Sequence, residues 1–158
     1  MRKLIVTALV LAVCAIAVAA PRASAAGYTN ASVAGSWGCS ATGSAAIKNA
    51  KGATSWVPAN GVTLAVLDGA GKFTSGKVTN NIAGMTCSST ITGGSYNVNA
   101  DGSGTYTSTQ KADSSNSPKC PPAESATVTG VASNNMFVGV STDSGATLSF
   151  FCIKQGGQ

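Results

Sequence analysis

Asp68-Gly69-Ala70-Gly71-Lys72-Phe73-Thr74 returns 33 residues later as Asp101-Gly102-Ser103-Gly104-Thr105-Tyr106-Thr107, and more loosely as Asp143-Ser144-Gly145-Ala146-Thr147-Leu148. An Asp side chain accepts backbone hydrogen bonds inside a tight turn, and Gly supplies the positive-φ positions. D-G-x-G therefore reads as the joint of a β-hairpin. Each copy follows a β-like run (62–67, 96–100 and 136–142) and precedes another. A calcium loop is the competing reading. It needs several acidic positions and a closing Glu, and each copy has one carboxylate.

Working outward from these turns gives strands at 33–41, 62–68, 72–79, 84–92, 94–100, 104–111, 124–132, 136–142 and 146–154. Tyr96, Val98 and Ala100 alternate with Ser95, Asn97 and Asn99, and Leu148, Phe150, Cys152 and Lys154 share one face of the last strand. No stretch beyond residue 26 sustains a 3.6-residue apolar period. The fold class is therefore all-β, an antiparallel up-and-down meander of eight to nine strands, closed as a barrel or stacked as a sandwich. On this strand count the Asp68 and Asp101 turns fall at opposite ends, with Asp143 beside Asp68. Residues 45–60 read as a long loop or one irregular strand, and 113–122 (DSSNSPKCPP) reads as loop.

The N-terminus has a different character. Arg2 and Lys3 precede an apolar run over 4–20, Pro21 breaks it, and Ala23-Ser24-Ala25 offers a small-x-small cleavage site. Residues 1–25 read as a cleaved secretory signal and 26–158 as a single domain, secreted or periplasmic, with no membrane span after cleavage. Cleavage changes the arithmetic of the whole chain. The net charge of +5 drops to +2, because the 133 remaining residues carry no arginine, seven lysines and five acids. Scattered lysines without arginine make a poor nucleic-acid surface. Cys14 leaves too, so five cysteines become four: Cys39, Cys87, Cys120 and Cys152. An even set in an exported domain implies two disulfides, with three connectivities open.

Gly (19), Ser (19) and Thr (16) fill 54 of those 133 positions, and Leu, Ile, Val and Phe together fill 21. A core so poor in large aliphatics leans on turns and bridges. Catalytic chemistry finds little support. The absence of histidine removes Ser-His-Asp and Cys-His pairs and histidine metal sites. Ser108-Thr109-Gln110-Lys111 has the S-x-x-K spacing. It lies in a strand, however, where i and i+3 point to opposite faces. The cysteines lack C-x-x-C spacing for zinc or redox work, and the carboxylates sit in turns. The sequence thus implies no catalytic residue, metal or cofactor.

Gly35-Ser36-Trp37, at the start of the first strand, resembles the G-x-W signature of the calycin group of lipocalin- and avidin-like barrels. The resemblance implies that Trp37 closes one end of the barrel and that a basic residue of the final strand, here Lys154, packs across it. Lysine replaces the usual arginine, and no T-D-Y-like second motif is present. In such a barrel the first and last strands are neighbours, which implies Cys39–Cys152 and leaves Cys87–Cys120. A hollow interior would be lined by Leu64, Val66, Tyr96, Val98, Tyr106, Leu148 and Phe150. The function implied is binding of a small apolar or amphipathic ligand, in a chain whose oligomeric state the sequence leaves open. The alternative is a structural or adhesive envelope protein, using its Ser/Thr-rich strand faces and having no internal pocket.

Overall fold

A computed structural model describes residues 27–48, 51–122 and 125–156; the leader expected at 1–25 lies outside the described residues. A 3-10 turn at Asn30–Val33 leads into eight strands. These are β1 (Gly35–Lys48), β2 (Thr54–Leu67), β3 (Phe73–Ile82), β4 (Met85–Val98), β5 (Ser103–Ala112), β6 (Ser125–Ala132), β7 (Met136–Ser141) and β8 (Ala146–Lys154). Each pairs antiparallel with its sequence neighbour, and β1 pairs with β8 to close the barrel. Closure removes every free sheet edge. Two disulfides are present, Cys39–Cys152 between the paired β1 and β8, and Cys87–Cys120 from β4 to the 113–122 loop.

The first two copies of the turn form by the expected chemistry, whereas in the third Asp143 Oδ2 accepts the Thr127 amide of β6 (2.8 Å) instead. Asp68 Oδ1 accepts the amides of Ala70 (2.7 Å) and Lys72 (2.9 Å), and Asp101 Oδ1 accepts the Ser103 amide (2.9 Å). Gly69, Gly71 and Gly102 have φ of +82°, +96° and +86°, conformations that a side chain disfavours.

Two features differ from the sequence reading. Residues 84–92 and 94–100 are not two strands. β4 runs through Gly93-Gly94 on a bulge, because Ile91 before it and Tyr96 after it must both face inward. Gly94, at φ +138°, lies so close to Thr107 O of β5 that a Cβ would collide with it. One strand fewer reverses the parity of the meander. The Asp68 and Asp101 turns therefore share one end, and Asp143 lies at the other. Residues 45–60 instead extend β1 and β2 into one long hairpin. Pro58 is tolerated there because β3 stops at Ile82, opposite Ala59, so no ladder bond is asked of its nitrogen on that side.

The packed part of the interior lies at the end where β1 begins. Val33, Trp37, Leu67, Tyr96, Val98, Tyr106, Ala132, Phe137 and Cys152 are buried together there. Tyr96 and Tyr106 stack with ring centroids 5.7 Å apart, and Phe137 meets Tyr106 edge-on at 4.7 Å. The 3-10 turn plugs this end. Asn30 Oδ1 accepts the Val98 amide (2.9 Å), Tyr96 Oη donates to Asn30 O (3.2 Å), and the Gly69 amide donates to Tyr96 Oη (2.9 Å).

Candidate functional site

Beyond this aromatic floor the barrel is hollow. A cavity of about 140 Å³ is walled by Ala65, Val78, Ile91, Val128, Leu148 and Phe150, with Tyr106 on the floor side. Strand alternation produces the wall. Trp37 pairs with Ala65 and Cys39 with Thr63, so these four face inward together, and small Ala41 and Ala65 leave space that larger residues would fill.

One arc of the wall is polar. Asn80, Ser108 and Gln110 reach the cavity from β3 and β5. Gln110 is held by two bonds, accepting from the buried Ser89 hydroxyl (2.7 Å) and donating to Ser108 Oγ (3.0 Å). The Asn80 side chain makes no hydrogen bond among the described residues, and the Tyr106 hydroxyl is buried with no partner among them. Among the described residues, no Lys, Arg, Asp or Glu lines the cavity. Burial pushes the Tyr106 phenol up to about 12, and burial raises Tyr96 also. The interior is thus neutral across the physiological range.

That burial has a measurable consequence. A phenol whose folded value is raised holds its proton longer in the folded protein than in the unfolded chain. Below pH 10 both states are protonated and stability is unaffected. From about pH 10 to 12 the unfolded chain ionises first, and stability falls. At the acid end, hydrogen bonds within the turns hold Asp68 and Asp101 below 3.8. Their contribution is present above that value and lost as pH falls through the folded values. Urea midpoints should therefore be level from pH 5 to 9.5 and decline on both sides; a flat profile from pH 10 to 11.5 would contradict the burial.

The residues named from sequence separate into three groups. Tyr106, Leu148 and Phe150 line the cavity. Tyr96 and Val98 are buried in the packed end and do not line it. Leu64 and Val66 require correction as lining residues. Leu67 and Ala65 take the inward positions of β2, so the period of two turns Leu64 and Val66 outward, and Leu64 is 51% exposed. At the closed end Trp37 and Lys154 are direct cross-strand partners, with Lys154 Nζ 6.0 Å from the indole centroid. Trp37 Nε1 donates to Val33 O (2.8 Å) and Lys154 Nζ to Ser32 O (3.5 Å). Sequence reading missed Val78, Ile91, Asn80 and Gln110. Counting by twos along β3, and along β5 from Tyr106 through Ser108, would have found Asn80 and Gln110.

No protein-family model, curated protein or solved structure matches this chain.

Proposed function

We propose that this chain is an exported binding protein with a calycin-like barrel, holding one small, uncharged and mostly apolar molecule inside it. The supporting observation is the cavity: closed sheet, apolar wall, one polar arc and, among the described residues, no carboxylate or lysine in its lining. Its volume narrows the ligand. About 140 Å³ is close to the ~150 Å³ that admits benzene in a dry engineered cavity and well below the ~300–1,000 Å³ of drug-sized sites. A single ring fits, whereas a long acyl chain does not. The polar arc gives such a ring one hydrogen-bonding edge. A purely structural barrel has no need of such a space. The two disulfides accord with export, since bridges persist in oxidising compartments.

Calorimetry and thermal shift on the oxidised protein test this with benzene, phenol, benzoate and laurate. Benzene and phenol should bind with Kd of about 0.1–1 mM, phenol the tighter, and benzoate and laurate should not. Ala65→Phe, which projects a ring into the cavity, should weaken both by at least about tenfold while the barrel stays folded. Indifference of the folded protein to all four compounds would overturn the reading.

A further inference from the structure

The outer surface of the barrel has two unlike halves. Outward positions of β4 and β5 are almost wholly Thr, Ser and Asn, as in Thr90, Ser95, Asn97, Thr105, Thr107 and Thr109. This ladder continues onto β6, where Thr129 stands opposite Thr105 and Thr127 opposite Thr107. The other half is apolar. Val131 stands opposite Val138, Val138 opposite Phe151, and Met136 opposite Ile153. Ser40 separates Phe151 from Val62, and Gly38 separates Ile153 from Leu64. These seven residues and Val140 are each between 44% and 61% exposed. The register joins them into one patch over β6, β7, β8, β1 and β2, uninterrupted by charge.

Size and shape say what covers it. Eight large side chains at half exposure leave on the order of 700 Å² uncovered. That exceeds the ~300–600 Å² of the largest patch on a typical monomer. It is close to the ~800 Å² that each partner gives a standard interface. The patch also has relief. Val138, Phe151 and Ile153 form a ridge, and Gly38 and Ser40 on β1 form a valley whose far wall is Val62 and Leu64. Ridge and valley lie side by side on one surface, the arrangement a two-fold axis needs. A charged partner finds nothing to pair with. Lys77, opposite Leu64, is at the margin and tied to Asp113 at 3.3 Å, so no basic row among the described residues addresses an anionic membrane. The closed sheet offers no edge for strand addition.

We propose that this face joins a second copy of the same chain in a two-fold dimer, the β7–β8 ridge of one protomer seated in the β1 valley of its partner. The proposal is independent of the internal ligand. Sedimentation equilibrium of the oxidised, exported protein from about 1 to 100 μM tests it, with Val138→Lys and Phe151→Lys on the ridge and Thr107→Lys on the opposite side. The wild type and the Thr107 variant should be dimeric at tens of micromolar. Each ridge variant should raise the dimer Kd by at least about 100-fold and sediment as a folded monomer. Should the lysine variants fail to fold, Val138→Thr and Phe151→Ser should give the same loss in smaller measure. A wild type that is monomeric at 100 μM, ridge variants that remain dimeric, or a Thr107 variant that dissociates equally would each overturn the proposal. So would a monomer that instead partitions onto phosphatidylcholine vesicles.

Discussion

Replacing Cys39 and Cys152 together by alanine should lower the thermal midpoint by about 15–20 °C. The bridge spans 113 residues, nearly the whole barrel. On the chain-entropy account, restricting the unfolded chain over such a length is worth about 4.8 kcal/mol. A domain of this size gains roughly 0.27 kcal/mol/K in unfolding entropy, which converts that figure to about 18 °C. Cys87–Cys120 spans 33 residues and is worth about 3.7 kcal/mol, so its double alanine variant should lose about 14 °C. The two also differ in kind. Cys39–Cys152 joins the strands whose pairing closes the barrel, and both sulfurs lie on the cavity wall. Cys87–Cys120 pins the 113–122 loop, which Asn116 also holds through two bonds to the Ser88 backbone. Losing both bridges removes about 8.5 kcal/mol, comparable to the entire ~5–15 kcal/mol stability of a domain. The fully reduced protein should then be largely unfolded at 37 °C. Calorimetry of the two double variants checks the order; a loss below about 5 °C for Cys39/Cys152 would mean that strand pairing alone closes the barrel.

Turn chemistry and cysteine parity were readable from the chain because both are local or topological. An Asx turn needs only Asp and the amides two and four residues on, so D-G-x-G declares itself without tertiary context. A closed meander makes its terminal strands neighbours, and Cys39 and Cys152 are register partners. The length and facing of strands were harder. Gly93-Gly94 has the composition of a turn, and only the demand that Ile91 and Tyr96 share the interior turns it into a bulge. In β2, Leu64 and Val66 are the attractive apolar residues, yet Ala65 and Leu67 are buried. The reason lies across the sheet: Ala65 is the register partner of the inward-facing Trp37, which sets Ala65 and Leu67 inward and leaves Leu64 and Val66 on the outer face. The apolar residues left outside belong to the outer patch. A rule that puts large aliphatics inside therefore fails where the protein has a second apolar surface. Gln110 and Asn80 escaped notice because polar residues read as exterior until a network such as Ser89–Gln110–Ser108 supplies their partners.

Trp37→Ala should cost about 4–5 kcal/mol, close to the value of the barrel-closing bridge. Trp37 is 4% exposed, and removing its indole deletes the largest side chain in the closed end. Large-to-small changes of buried aromatics cost roughly 3–5 kcal/mol, because the surroundings relax only in part. Here relaxation is limited. The 3-10 turn above the ring is tied to β4 through Asn30, and the ring's cross-strand partners, Ala65 and Lys154, cannot fill the space without leaving the sheet. A second loss is polar: Val33 O is left without the Nε1 donor at 2.8 Å, while Val33 is 1% exposed. An unmet buried carbonyl costs about 1–3 kcal/mol. Trp37→Phe separates the two terms. It keeps most of the apolar volume, loses the donor, and should cost about 2–3 kcal/mol. Lys154→Met tests the other half of the closure. At 6.0 Å the ammonium gains roughly 0.5–1 kcal/mol from the indole face, and its 3.5 Å bond to Ser32 O is long, so that variant should lose at most about 1 kcal/mol. The order Trp37→Ala, then Trp37→Phe, then Lys154→Met in urea unfolding would show that closure rests on the ring and its one hydrogen bond. A Lys154 variant as damaging as Trp37→Ala would show instead that the cation holds the 3-10 turn, with the indole serving mainly as its support.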